Sequence, residues 1–118
     1  MAELIGYSIT VVSYDEQLIN EAHKKAKKLF DSISIHELVT PIMNGQNNMK
    51  SFFIAPDFSK PSFETNKLFK KARELFFGWM TAMDNYSEVR KILFFETEID
   101  LERDNFEVAN TLDKVVIK

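Results

Sequence analysis

The chain has 118 residues, 45% hydrophobic and 28% charged, which suits one globular domain spanning residues 1–118 and leaves little room for two. It contains no cysteine, which excludes disulfides, thiolate zinc sites and a cysteine nucleophile and fits a reducing compartment, so a cytoplasmic location is expected. The net charge of −3 is uneven, with five basic and eight acidic residues in 87–118, and this argues against a general nucleic-acid binder.

Leu4 to Val12 reads as a strand with Ile5, Tyr7, Ile9 and Val11 on one face. The acid at Glu3 and the missing basic n-region predict a strand here and not a signal peptide. Ser13 with Glu16 forms a capping-box pattern. It predicts a helix to about Asp31, with a stripe of Leu18, Ile19, Ala22, Ala26, Leu29 and Phe30.

Ile35 to Met43 is a predicted strand, with Pro41 marking an edge or a bulge. Asn44 to Asn48 predicts a hairpin loop, because Asn-Gly readily takes positive φ. Met49 to Ala55 is the returning strand, and Pro56 to Ser62 an irregular connection.

Asn66 to Met83 carries the clearest signal. Leu68, Phe69, Ala72, Leu75, Phe76, Trp79, Met80 and Met83 recur at three- and four-residue steps and form one apolar stripe. Eighteen residues make a rod of about 27 Å. Phe77 falls off that stripe, beside Lys70, Arg73 and Thr81, and is expected to point outward unless a partner covers it.

Arg90 to Leu101 reads as the longest strand. Leu93, Phe95, Thr97, Ile99 and Leu101 share one face, and Ile92, Phe94, Glu96, Glu98 and Asp100 the other. Beyond it, Leu101 to Leu112 fits a short helix, whereas Phe106–Ala109 with Lys114–Ile117 fits a hairpin; strand is favoured for Lys114–Ile117, which is β-branched.

This order is β-α-β-β-α-β with an extra terminal strand or hairpin. It predicts an α+β, ferredoxin-like antiparallel sheet with two helices on one face. No apolar run approaches a membrane span.

Three Phe-Phe pairs, Phe52-Phe53, Phe76-Phe77 and Phe94-Phe95, define the candidate surfaces. Alternation sends one member of each strand pair to each face. Phe94, with Ile92 and one of Phe52 or Phe53, is expected to leave an apolar patch on the open face that meets a partner. Lys50 to Ala55 matches the aromatic motif of RNA-recognition modules only loosely, with serine at the glycine position; Tyr7 is the candidate first-strand aromatic. Glu96, Glu98 and Asp100 on a neighbouring strand would repel phosphate.

Lys24, Lys27, Lys28, Lys67, Lys70, Lys71 and Arg73 would gather on the outer helical layer, where a solvated surface is the simpler reading. The straight row Glu96-x-Glu98-x-Asp100 does not wrap an ion, so no metal is expected. His23 and His36 belong to no metal spacing, no nucleophile signature is present, and the three glycines form no phosphate loop. The pattern therefore predicts neither a cofactor nor a catalytic residue.

Ser51-Phe-Phe-Ile-Ala-Pro-Asp57, followed by Ser59-Lys60, resembles a segment of small uncharacterised phage and prophage proteins. There too it ends a strand and leads into a charged helix. The resemblance covers residues 49–60 and departs at Phe58, where glycine is usual. It implies an accessory or host-factor-binding protein of the inhibitor type and brings no activity.

The sequence thus predicts a non-enzymatic protein–protein interaction module that self-associates or binds a host factor through Phe77, Arg73, Lys70, Phe94, Phe52 and Phe53. A nucleic-acid-binding domain and a small enzyme are the alternatives. A positively charged groove lined by Tyr7 and Phe53 would favour the first, and a deep pocket holding His36 with a carboxylate the second.

Overall fold

A computed structural model describes residues 5–33, 37–59, 63–85, 92–100 and 107–110. Strand β1 (Ile5–Ser13) leads into helix α1 (Glu16–Phe30); β2 (Met43–Asn44) and β3 (Lys50–Ile54) follow, then α2 (Glu64–Asn85), β4 (Ile92–Asp100) and β5 (Glu107–Asn110). The strands form one antiparallel sheet in the order β2-β3-β1-β4-β5. The architecture is α+β, an antiparallel sheet with two helices, as the element order predicts.

β1 is the axis of the sheet. Val11 pairs with Phe52 on one side and Phe94 on the other, and Ile9 with Ile54 and Glu96. Paired residues share a face, so these side chains meet the helices together. α1 packs over β1 and β3 and beside α2. It contributes Ile19, Ala22, Ala26 and Phe30 to the core, all buried. The Phe30 ring lies 5.8 Å from Phe69 and 6.0 Å from Phe76, joining the two helices.

The α1 cap is Asp15, whose Oδ1 accepts from the Leu18 N–H at 3.0 Å. The expected cap, Ser13, is instead the buried last residue of β1, paired with Lys50 and Ile92, and its Oγ accepts from the Asp15 N–H. Pairing within the sheet removes Ser13 from the helix start, and Asp15 has the reach to replace it.

The strand expected over Ile35–Met43 is also corrected. Val39 makes an isolated bridge to Ile54, and only Met43–Asn44 counts as β2. Leu38 and Thr40 bond to the β3 side through Ala55 N–H to Leu38 O and Thr40 N–H to Phe53 O. Pro41 has no N–H to continue the ladder. In the loop that follows, Asn47 and Asn48 take positive φ, while Gly45 is extended at −115°. Ile35, His36, Leu101 and Lys114–Ile117 lie outside the described residues.

Helix α2 is rotated relative to its predicted stripe. Phe69, Ala72, Phe76 and Met80 are buried, but Leu68 and Leu75 are exposed, Leu75 by 51%. Arg73 and Phe77 turn inward in their place, and Trp79 stacks on Phe76 at 6.5 Å while half-buried. The Met83 side chain is outside the described part. The cause of the rotation lies on β4: its helix-facing side carries Glu96, only 5% exposed, and a buried carboxylate requires a partner. Arg73 Nη1 meets Glu96 Oε1 at 3.0 Å, and rotating α2 to make that contact carries Phe77 onto Phe94.

Candidate functional site

The register assigns each sheet residue to one of two faces. Tyr7, Ile9, Val11 and Ser13, with Phe52 and Ile54, and with Ile92, Phe94, Glu96 and Glu98, lie on the helix-covered side. Ser8, Thr10 and Val12, with Ser51 and Phe53, and with Leu93, Phe95, Thr97 and Ile99, lie on the opposite side. Met43 joins this second set by pairing with Ser51.

The expected patch of Phe94 and Ile92 is therefore corrected. Phe94 is 2% exposed and Ile92 is buried, with Phe94 5.4 Å from the Phe77 ring. Phe52 is fully buried and meets the edge of His23 at 5.1 Å. Of the strand phenylalanines expected to bind a partner, Phe53 alone faces the open side, 37% exposed; Phe95, named only as a member of its pair, is half-buried there. Phe77 packs within the monomer and is not a free outward ring. Arg73 is turned in, and Lys70 is left exposed with Lys24, Lys27, Lys28, Lys67 and Lys71 on the outer helical layer.

The open face has two rows. Met43, Ser51, Val12 and Leu93 form one across β2, β3, β1 and β4, and Phe53, Thr10 and Phe95 the next. Val12, Leu93 and Phe95 are half-buried without packing against the core cluster. Among the described residues of β1 to β4, no charged side chain points to this side. Met43 and Met49 are exposed at its β2–β3 end. The platform therefore offers apolar contact and hydroxyls, and no cation for phosphate.

The covered face carries the charge. Tyr7 Oη donates to Glu98 Oε1 at 3.1 Å, and the Arg73 guanidinium lies 3.8 Å from the centre of the Tyr7 ring. Burial first, then the hydrogen bond to Glu98 and the nearby carboxylates, raise the Tyr7 pKa above its ordinary value, while Arg73 acts in the opposite sense. The acidic row is thus divided: Glu96 is held by Arg73 and Glu98 by Tyr7. Among the described residues no group of three or more histidines or acids is placed to hold a metal. His23 Nε2 lies 2.9 Å from Thr40 O, which ties α1 to the β2 side.

Tyr7 and Phe53, whose sharing of a positively charged groove would favour nucleic acid, stand on opposite faces. Alternation along β4 was legible, but the more apolar set was assigned to the core. The signal that would have reversed it is Arg73, one turn from both Phe69 and Phe76, opposite a strand face with Glu96.

No helix among the described residues is long and apolar enough to cross a membrane. The chain matches no family model, and no curated protein and no solved structure is significantly similar to it.

Proposed function

We propose that the protein is a non-enzymatic interaction module that self-associates, two copies meeting through their open sheet faces. The carrying observation is the inversion of β4. Its apolar residues Leu93, Phe95 and Ile99 face away from the helices, while its charged residues Glu96 and Glu98 face inward and require Arg73 and Tyr7. In the isolated chain Leu93, Phe95 and Ile99 are only partly removed from water; a second copy gives their remaining apolar surface an apolar environment.

A second copy suits this face better than other occupants. With no charged side chain on it among the described residues of β1 to β4, two identical platforms meet without like-charge repulsion or desolvated ions, as a two-fold contact requires. A nucleic acid would find no cation among the described residues of this face. At about 3.3 Å per residue and 4.8 Å between strands, the platform covers roughly 400–500 Å² in projection. Side-chain relief raises this toward the ~600 Å² per partner at the low end of stable interfaces. A dimer of moderate affinity is expected.

The order β2-β3-β1-β4, with one helix between β1 and β2 and one between β3 and β4, supports reading the fold as ferredoxin-like, extended by β5. Such a sheet has one face covered by helices and one available.

A dilution series followed by NMR tests the contact. Resonances of Val12, Phe53, Leu93 and Phe95 should move with concentration, while those of Val11, Phe52 and Phe94 stay fixed. Movement confined to the outer helical lysines would place the contact elsewhere and defeat the proposal.

A further inference from the structure

Helix α2 carries a second line of residues that the core does not use. Leu68, Lys71, Leu75, Gly78 and Ala82 follow one another at steps of three and four, the spacing of a helix–helix seam. Each is exposed, Leu75 by 51% and Leu68 by 43%. The line runs along the shoulder of α2 that faces α1. Arg73 and Phe77 reach β4, and at about 100° per residue Leu68 and Leu75 stand on the opposite flank. α1 lies on that flank, packed over β1 and β3 and beside α2.

Gly78 sets this shoulder apart from an ordinary solvated surface. Glycine is the poorest helix former after proline. Among the described residues, a Cβ at Gly78 would meet nothing within 4 Å, so no contact inside the chain requires a glycine there. With Ala82 one turn further on, it leaves room for the backbone of another helix to come close.

The same groove between the helices is basic at one end. Phe30, at the end of α1, meets Phe69 and Phe76, so the last turns of α1 lie beside the first turns of α2. Lys25 and Lys28 stand on the α2 side of α1, since His23, on the other flank, meets Thr40 and Phe52. They are joined across the groove by Lys67 and Lys71. No acidic residue occurs in 22–30 or 65–73.

We propose that this groove is a second interaction surface, which binds an acidic amphipathic helix of another protein. The partner's apolar residues cover Leu68 and Leu75, its backbone approaches at Gly78 and Ala82, and its carboxylates meet the lysines. Leu68 to Ala82 spans about 21 Å, so a helix of about four turns fills the line. A second copy fits less well. Antiparallel pairing of two α2 helices sets Lys67 and Lys71 against residues 75–83, which contain no acid, and parallel pairing sets lysine on lysine. A nucleic acid matches the lysines but leaves Leu68 and Leu75 in water. A membrane surface would first meet Lys67, Glu74 and Gly78, which project furthest from the sheet, and not the leucines on the shoulder.

The test is an NMR titration of the full chain with a synthetic helix of three heptads, carrying Leu along its seam and Glu on both sides of it. The same helix with Lys in place of Glu, a DNA duplex and phosphatidylglycerol vesicles form the parallel arms. The Glu helix should shift the amides of Leu68, Lys71, Leu75 and Gly78 saturably, and the Lys helix should not. Leu75→Gln and Lys71→Glu should each weaken binding at least ~10-fold, as loss of a central contact does. Gly78→Gln separates binding from folding: it should raise the thermal midpoint of the free chain and still weaken binding. Equal affinity for the two helices, tighter binding of the duplex or the vesicles at these residues, or unchanged affinity in the folded variants would overturn the proposal. So would movement of Leu68 and Leu75 on concentrating the chain alone, which would mark a second copy. The sheet-face contact is read by Val12, Phe53, Leu93 and Phe95, so either result stands without the other.

Discussion

The two faces of one sheet are built from alternate residues of the same strands, yet they follow opposite rules. The covered face holds Phe52, Phe94, Ile9 and Val11 in a helix-packed core and also holds the carboxylate of Glu96. Among the described residues of β1 to β4 the open face carries no charged side chain, and it keeps Phe53, Leu93 and Phe95 partly in water. Apolar character alone does not decide which face of a strand is buried. The helices choose the face whose partners they can satisfy, and Arg73 on α2 makes an acidic face acceptable. The apolar residues left outside then need another use.

The largest test of this comparison sets neighbours in the Phe94-Phe95 pair against each other. Phe94→Ala should destabilise the monomer by about 3–5 kcal/mol, the range for a buried phenylalanine. Phe95→Ala should cost under about 1.5 kcal/mol, because its ring is only partly removed from water. Urea unfolding of dilute protein measures both, and equal losses would erase the distinction between faces.

The buried ion pair comes next. Arg73→Met should destabilise by about 3 kcal/mol, because it takes the cation from a carboxylate that remains buried. Adding Glu96→Leu should recover most of the loss, since a well-packed apolar pair often equals a buried ionic one. A double variant no more stable than Arg73→Met alone would mean that the pair does not set the rotation of α2.

The smallest effect is one of pH. The folded protein holds the Tyr7 proton more tightly than the unfolded chain, chiefly through burial. The stability this contributes is complete below the ordinary tyrosine value of 10.0 and is lost as pH rises through the higher folded value. Stability should therefore fall more steeply above that pH in the wild type than in Tyr7→Phe, measured by urea unfolding at each pH. Parallel curves would contradict the burial of protonated Tyr7 beside Glu98.

Much of the framework was legible in the residues. Periodicity placed β1, α1, β3, α2 and β4 within a few positions, because each is long and strongly patterned. β2 was not legible as drawn, since Pro41 breaks a ladder that the apolar pattern alone continues. The cap moved from Ser13 to Asp15 because strand pairing claimed the serine, a contact more than thirty residues distant. The candidate surface was half legible. The Phe-Phe pairs marked strands whose two rings divide between the faces, but telling which ring is buried required knowing that Arg73 meets Glu96 across two elements. Phe77 was misplaced for the same reason.

The most direct test of the central claim is the solution mass of the wild type and of Phe53→Lys, by light scattering across the micromolar range. Phe53 lies on the open face and outside the core cluster, so the substitution should leave the fold intact while placing a charge in the contact. The wild type should approach twice the 13.8 kDa chain mass, and Phe53→Lys should remain at one chain. A wild type that stays at one chain throughout, or a variant that associates as well as the wild type, would contradict the assignment of this face.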